Sequence, residues 1–311
     1  MDRGRVHVLT QSHDTHAHLH GTHTLSGSTE PVTGVLLDEQ GHLSAVLPRR
    51  TALTRGAGRR DARAQVLAAN VDVVLVVMSL VSPPNRPRLD RMLTVAWDSG
   101  AQPVVVLSKA DLCTTAESER DEVADSAPGV PVHLVSALDG RGMDELAGHL
   151  TPGRTMVLLG ASGVGKSSLV NALAGTDLLP VAAIRADGRG RHTTTARELA
   201  VLPGLGVLID TPGIRGVQPW DSADGLEHTF ADVEELATRC RFVDCGHAGE
   251  PGCAVTEAIA DGRLAEARLA SYVKLRREAA WLRSRYDARQ RAEQRRARRV
   301  RAQAIHGREH R

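Results

Sequence analysis

The sequence predicts an α/β protein with a central parallel sheet, a small β module before it and a helical domain after it. Near-continuous runs of Val and Leu alternate with helical patterns between residues 64 and 221, as in "VDVVLVV" at 71–77 and "TMVLLG" at 155–160. Strands of this kind are buried on both faces, which favours a parallel sheet covered by helices. After residue 222 the strand pattern stops, and Cys and His cluster in a largely helical region ending at 311.

The N-terminal region divides into two predicted parts. Residues 1–30 are polar, with five His between residues 13 and 23, and we expect a disordered or loosely held segment because little there could form a core. Residues 31–63 contain two short apolar runs around "DEQG", which predicts a hairpin. This second part is a small β module, too short to form a complete barrel.

The central domain, residues 64–221, contains further strand and helix signals. Strands are predicted at 103–108 and 132–135, and helices at "PRLDRMLTVAWDSG" and "GMDELAGHL". The segments "ARELAVL" and "LGVLID", joined by Pro-Gly, predict a hairpin added to the sheet.

Charge and hydropathy limit the kinds of partner. The formal net charge is +2, yet residues 263–311 carry sixteen Lys or Arg against five Asp or Glu. Such a tail favours a polyanionic partner, although a solvated helix would also explain it. The longest apolar stretch, "VDVVLVVMSLV", is too short to span a bilayer, and no secretory leader pattern is visible. We therefore expect a cytoplasmic protein without membrane association.

A phosphate-binding loop is predicted directly after the strand at 155–160. The segment matches G-x-x-x-x-G-K-[ST] and opens a helix, which is the context that the motif requires. Its glycines let backbone N–H groups surround phosphate oxygens, Lys166 would reach the β- and γ-phosphates, and Ser167 would bind Mg²⁺. The predicted loop comprises Gly160, Ala161, Ser162, Gly163, Val164, Gly165, Lys166, Ser167 and Ser168.

A base-reading loop is predicted at the end of the strand at 103–108, in the segment "SKAD" that runs through Ala110. The Asp111 carboxylate can accept two hydrogen bonds from the edge of guanine, a donor pair that adenine lacks, and the stem of Lys109 can cover the ring. Most GTPases have Asn where this chain has Ser108, so the tether to the phosphate loop is expected to be weaker. Ser136-Ala137 follows another strand and resembles the loop that presents an N–H to the guanine oxygen.

Two segments after the phosphate loop match the switches of nucleotide hydrolases. In "DTPG", Asp210 ends a strand and would hold Mg²⁺ through water, and the Gly213 N–H would contact the γ-phosphate. In "GRGRHTTT", Thr193 or Thr194 would close over Mg²⁺ while that phosphate is present, although this run alone also fits a flexible basic loop.

The residue that orients the attacking water is not evident. Many GTPases place Gln after this glycine, but Ile214 stands there and can neither donate nor accept a hydrogen bond. His192 is the nearest candidate for positioning water, with contact to phosphate or RNA as the alternative role.

A metal site is predicted from Cys240 to Cys253. With Cys245 and His247 these residues form C-x4-C-x-H-x5-C, and three thiolates with one imidazole complete a tetrahedral shell around a structural Zn²⁺. Free buried cysteines are the alternative. Cys113, far away in the sequence, is expected to be an ordinary thiol.

The order of these motifs resembles the circularly permuted GTPases, and specifically the ribosome small-subunit-dependent GTPase A (RsgA) family. Matching stretches include "SGAQPVVVLSKADL", "GASGVGKSSLVNAL", "LIDTPGIR" and "CRFVDCGHAGEPGCAV", and the resemblance spans residues 35–285. It implies an N-terminal OB-fold barrel, here the partial β module, then a circularly permuted P-loop GTPase domain and a C-terminal helical zinc domain.

The same resemblance implies a late assembly factor of the small ribosomal subunit. Such a protein would bind the immature particle and its rRNA, hydrolyse GTP to GDP under ribosomal stimulation, and leave. We expect it to act as a monomer.

Two other functions remain open from the sequence. The first is an rRNA-binding assembly factor whose GTPase activity is weak or vestigial, which Ser108 and Ile214 slightly favour. The second is a P-loop ATPase or kinase, which Asp111 opposes through its preference for guanine.

Overall fold

The structure is a computed structural model and describes residues 5–9, 14–18, 35–37, 43–46, 48–56, 64–178, 198–202, 204–210 and 223–309. The chain divides into two units. The sheet unit comprises Met1–Thr54, Val66–Pro84 and Ser99–Arg215, and the helical unit comprises Arg55–Gln65, Asn85–Asp98 and Gly216–Arg311. Within the described residues, no helix combines the length and the apolar character that crossing a membrane would require.

The N-terminal strands form three two-stranded sheets. These strands are β1 (Arg5–Leu9), β2 (Asp14–His18), β3 (Val35–Leu37), β4 (Leu43–Val46), β5 (Ala52–Gly56) and β6 (Ala64–Ala69). β3 and β4 pair antiparallel and confirm the hairpin predicted around "DEQG". β1 and β2 also pair antiparallel, within the segment 1–30 that we expected to be disordered or loosely held.

The central sheet has six described strands and confirms the predicted α/β class. They are β7 (Val73–Ser79), β8 (Gln102–Ser108), β9 (Val132–Val135), β10 (Thr155–Gly160), β11 (Glu198–Leu202) and β12 (Gly206–Asp210). Their spatial order is β11-β12-β10-β7-β8-β9, in which neighbouring strands run parallel except β11, which pairs antiparallel with β12. The Val and Leu runs of the central strands are buried, as expected for a sheet covered on both faces.

The strand order brings two predicted loops to one edge of the sheet: the base loop, which comes first in the chain, and the phosphate loop, which comes later. If β10 is counted first and β7 follows β12, the sheet reads 2-3-1-4-5-6. The strands that follow β10 in this count lie on one side of it, and the strands from β7 onward lie on the other side, so the strand order reverses between β10 and β7. In open parallel sheets, ligands bind at such a switch point, beyond the carboxyl ends of the strands. The phosphate loop follows β10 at this point, and the base loop follows β8 on the far side of β7.

Eight helices occur in the described residues. They are α1 (Arg86–Asp98), α2 (Ala116–Ser126), α3 (Met143–Ala147), α4 (Lys166–Ala174), α5 (Ala223–Thr229), α6 (Ala231–Ala237), α7 (Ala254–Ala260) and α8 (Glu266–Glu309). A short 3₁₀ helix spans Ala110–Leu112. α1 belongs to the helical unit, although it lies between two strands of the sheet in the chain.

The core of the helical unit is small and mixes apolar side chains with Cys. Phe230 is fully buried and meets Tyr272 edge to face, with ring centroids 5.3 Å apart. The other buried members of this core are Leu226, Val233, Cys245, Cys253, Val255, Ala258, Leu264, Leu275 and Ala279. Since two of the predicted metal ligands are part of this core, metal binding and folding of the unit are expected to be coupled.

A buried ion cluster joins three helices of the same unit. The Arg268 guanidinium on α8 donates to Asp90 Oδ1 on α1 at 2.6 Å and to both carboxylate oxygens of Asp232 on α6 at 3.0 and 3.1 Å. Ser271 Oγ donates to the other oxygen of Asp90 at 2.6 Å. Burial raises the pKa of Asp90, and the charge of Arg268 opposes that shift.

Two histidines meet at the edge strand β9. His133 Nε2 lies 2.9 Å from His149 Nε2, so one neutral ring donates to the other. Burial lowers the pKa of both imidazoles, with the neighbouring His149 adding to the effect on His133 and Arg154 adding to that on His149.

These histidines should make stability depend on pH. Because both folded-state pKa values lie below the unfolded value of about 6.5, the unfolded chain binds more protons, and stability falls as pH drops through that value. We expect His149→Gln to lose less unfolding free energy between pH 7.5 and pH 5.5 than the parent. Urea unfolding at the two pH values measures this, and equal losses in both proteins would contradict it.

Candidate functional site

The phosphate loop joins β10 to α4 through backbone that favours glycine. Gly163 and Gly165 have φ angles of +83° and +98°, and a Cβ on Gly160 would lie 2.6 Å from the Val77 carbonyl oxygen. Lys166 begins α4 and is nearly buried, and its ammonium donates to the carbonyl oxygens of Gly160 at 3.1 Å and Ala161 at 3.0 Å. These bonds place the positive charge of Lys166 beside the loop that would surround the phosphates.

The base loop contacts the phosphate loop directly. The buried Ser108 hydroxyl lies 2.6 Å from the Val164 carbonyl oxygen and 3.1 Å from that of Met78, and its single proton can bond one of them at a time. Lys109 has a φ of +58° and donates from Nζ to the Gly163 carbonyl oxygen at 3.0 Å. Burial lowers the pKa of Lys109, and the nearby Asp111 carboxylate opposes this shift.

These contacts bring the two predicted loops to the same edge of the sheet, although more than 50 residues separate them in the chain. Asp111 lies in the 3₁₀ helix after Lys109 with its side chain exposed. Ser108 bonds the phosphate loop through its hydroxyl, although its side chain is shorter than the Asn found here in most GTPases.

The loop after β9 is closed by its own hydrogen bonds. Ser136 is fully buried, and its hydroxyl accepts from the N–H groups of Leu138 and Asp139, each at 3.3 Å. The Arg141 N–H, followed by the Ser136 hydroxyl, lowers the pKa of Asp139. Gly142 has a φ of +68°, and a Cβ on this residue would overlap the carbonyl oxygen of Leu134. Sequence reasoning selected Ser136 and Ala137 but missed Asp139 and Gly142, for which "DGRG" was the available signal.

The predicted switch residues are described only in part. Asp210 ends β12 and pairs in register with Leu158 of β10, which places its backbone beside the phosphate-loop strand. His192, Thr193, Thr194 and Gly213 lie outside the described residues.

Removing the Ser108 hydroxyl should weaken nucleotide binding. Ser108→Ala leaves the half-buried Val164 carbonyl without this donor and removes one of the two bonds that join the base loop to the phosphate loop, at a cost of about 1–2 kcal/mol. We expect the Kd for GDP to rise about tenfold. Titration with a fluorescent GDP analogue measures it. Ser126→Ala removes a hydroxyl that bonds the Val123 carbonyl at the end of α2, and it should leave the Kd unchanged. An unchanged Kd in Ser108→Ala would contradict the tether.

The Cys/His cluster forms in the helical unit as the spacing predicts. The ligand atoms of Cys240, Cys245, His247 and Cys253 all lie within 4.8 Å of one another. His247 Nδ1 lies 3.7 Å from Cys240 Sγ and 3.5 Å from Cys253 Sγ, and the two sulfurs are 3.9 Å apart.

These separations fit one tetrahedral ion. With metal–sulfur bonds of about 2.3 Å and metal–nitrogen bonds of about 2.0–2.1 Å, S···S and S···N separations are about 3.8 and 3.5 Å. Burial opposes ionisation of Cys253, but hydrogen bonds from Thr256 and His247 outweigh it and lower its pKa to about 6. The cluster could therefore hold a metal ion. Cys113 is half-buried in the sheet unit and takes no part in it.

Comparison with known proteins agrees with this site. The family model described as RsgA GTPase matches residues 46–220. A protein of Streptomyces avermitilis named "Small ribosomal subunit biogenesis GTPase RsgA" is 52% identical over 82% of this chain and 70% of its own length. A protein of the same name from Methanosarcina acetivorans is 46% identical over 79% of this chain and 69% of its own.

Two solved structures share the fold. YjeQ from Thermotoga maritima has a TM-score of 0.63 at 29% identity and covers 89% of this chain and 94% of its own. YloQ, described as a circularly permuted GTPase, has a TM-score of 0.60 at 26% identity and covers 89% of this chain and 91% of its own. With the permuted sheet order, the joined nucleotide loops and these matches, the chain belongs to the RsgA GTPase family and is an enzyme that hydrolyses GTP.

Proposed function

We propose that this GTPase binds the small ribosomal subunit during its assembly, hydrolyses GTP faster while bound, and leaves as hydrolysis proceeds. The observation that carries the proposal is the identity of 52%, over 82% of the chain, to a relative named for small-subunit biogenesis. The basic C-terminal residues support it, because residues 263–311 carry sixteen Lys or Arg against five Asp or Glu, and this excess of positive charge suits the phosphates of rRNA.

In the proposed mechanism, the two joined loops bind GTP at opposite ends. Asp111 accepts the two guanine donors, the stem of Lys109 covers the ring, and the N–H of Ala137 meets the guanine oxygen. The Gly160–Gly165 backbone and Lys166 bind the phosphates, so that the γ-phosphate stays in line with an attacking water.

The residues that would hold Mg²⁺ are Ser167 and Asp210. Their hydroxyl and carboxylate oxygens suit this ion. Ser167 lies in α4, directly after the phosphate loop, and Asp210 is the last residue of β12, the neighbour of β10 in the sheet. Bound with the nucleotide, Mg²⁺ would neutralise charge that develops on the phosphates. Thr193 or Thr194 and the Gly213 N–H would sense the γ-phosphate, and His192 would position the attacking water.

For the Cys/His cluster we propose one structural Zn²⁺. The donor set of three thiolates and one imidazole supports zinc, and four protein ligands leave no open position for catalysis. The ion would organise the helical unit rather than take part in hydrolysis. We also propose that the protein acts as a cytoplasmic monomer.

Turnover of GTP with and without purified small subunits tests the proposal. We expect stimulation by small subunits and none by large subunits. Equal turnover in all three samples would overturn the ribosomal role and favour an RNA-binding factor with weak activity.

Base specificity has its own test. Asp111→Asn loses one acceptor and gains a donor, so its preference should move from guanosine to xanthosine nucleotides, with a loss of GTP affinity of about 100-fold. Competition binding with GTP, XTP and ATP measures this. If ATP competes equally with GTP in the parent, the assignment of Asp111 is wrong.

A further inference from the structure

A carboxylate closes the loop between the second and fourth residues of the Cys/His cluster. Glu250 Oε1 accepts a hydrogen bond from the N–H of Gly246 at 2.9 Å, and Oε2 accepts from the N–H of Ala248 at 2.7 Å. The two oxygens therefore bind the backbone on both sides of His247. Hydrogen bonds to an ionised acceptor are stronger than neutral ones, so this clamp restricts three consecutive residues.

The residue inside the clamp needs such support. His247 has a φ of +57°, in the left-handed region that residues with a Cβ rarely adopt. This conformation costs about 1–2 kcal/mol when nothing compensates it. It also directs the buried imidazole so that Nδ1 lies within 3.7 Å of the sulfurs of Cys240 and Cys253.

We propose that Glu250 is a positioning residue of the metal cluster, whose carboxylate holds residues 246–248 in the conformation that presents Cys245 and His247 to the ion. The inference rests on the metal site proposed above. Three thiolates and one imidazole already complete a tetrahedral shell, so the proposal assigns Glu250 to its backbone N–H partners and not to the ion. Its effect is to order two ligands in advance, which lowers the conformational entropy lost when the metal binds.

The test measures metal affinity in full-length variants. Glu250→Gln keeps one acceptor oxygen but loses the charge and one acceptor, and Glu250→Ala loses both acceptors. Removing a partner that orients metal ligands weakens metal binding by about 10–100-fold. We expect the loss of affinity to lie near the lower limit for Glu250→Gln and near the upper limit for Glu250→Ala. Competition for Zn²⁺ with a chelator of known affinity gives these ratios.

A matched control lies in the same loop. Asp244 is exposed between two ligands of the cluster, and Asp244→Asn removes the same charge as Glu250→Gln. We expect its metal affinity to equal that of the parent. If Asp244→Asn weakens binding as much as Glu250→Gln, the effect is one of general charge, and the proposed clamp is wrong.

A second measurement separates positioning from ligation and from a folding defect. The visible absorption spectrum of the Co²⁺-loaded protein reports the ligand set, and we expect Glu250→Gln to match the parent at saturation while transferring Co²⁺ to a chelator faster. A changed spectrum would make Glu250 a ligand and overturn the positioning role. If Glu250→Ala fails to fold, Glu250→Gln carries the comparison.

The remaining outcomes identify which proposal fails. A parent that binds no metal would overturn both the metal site and this inference. A parent that binds one ion per chain, with Glu250→Gln equal to it in affinity and transfer rate, would overturn the inference alone.

Discussion

A Cys253→Ser variant is expected to lose tight metal binding and at least about 3 kcal/mol of stability in the helical unit. Cys253 is 1% exposed and belongs to the core that contains Phe230, Val233 and Val255. A serine hydroxyl is a poor zinc ligand, and without the ion the three remaining ligands no longer cross-link that core. Since the unit has few large apolar side chains, it cannot compensate for the loss.

Metal analysis and thermal unfolding followed by circular dichroism measure this effect. A loss of 3 kcal/mol lowers the melting temperature of a unit of this size by about 10 °C or more. Cys113→Ser is the matched control, because it replaces a half-buried thiol of the sheet unit. It should keep one ion per chain and the melting temperature of the parent. Full metal content and unchanged melting in Cys253→Ser would show that this residue is not a ligand.

An Arg268→Ala variant is expected to lose about 3–5 kcal/mol of unfolding free energy, because it leaves a buried charge without its partner. Arg268 and Asp90 are 9% and 3% exposed, and the guanidinium also bonds Asp232 and the Thr229 carbonyl oxygen. It lies over the ring of Phe230, with Cζ 4.3 Å from the centroid. Removing it therefore also leaves a cavity in the core.

Urea unfolding of Arg268→Ala and of a surface control tests this expectation. Arg263 pairs with Asp261 at 3.1 Å in solvent, and Arg263→Ala should change stability by less than about 1 kcal/mol. Arg268→Lys should lie between the two, because a single ammonium cannot reproduce the planar set of donors. If Arg268→Ala unfolds like Arg263→Ala, the buried cluster contributes little to stability.

The sheet could be predicted because its signals are local. The strands "VHLV" and "TMVLLG" were predicted at the residues that the structure assigns to β9 and β10. A run of Val and Leu buried on both faces has few alternatives to a central parallel strand. The placement of α1 could not be predicted in this way. It depends on Asp90 meeting Arg268, which is 178 residues away in the chain.

The candidate site also has parts that the sequence predicts and parts that it does not. The phosphate loop and the Cys/His cluster are short motifs, so spacing alone identified their residues. The bond from Ser108 to the Val164 carbonyl spans 56 residues, and no local pattern indicates it. Glu250 lies inside the metal motif but was passed over, because its partners are backbone N–H groups that the sequence does not distinguish.

The assignment of α1 to the helical unit means that this unit is assembled from separate stretches of the polypeptide. Seven of the thirteen residues of α1 are buried, and Asp90, at 3% exposed, is one of them. A truncation before Gly216 would therefore not yield a self-sufficient N-terminal fragment, because it would expose the apolar side chains of α1 and leave the Asp90 carboxylate without Arg268. Any fragment that contains the nucleotide-binding loops without the C-terminal helices therefore divides the helical unit between Asp90 and Arg268.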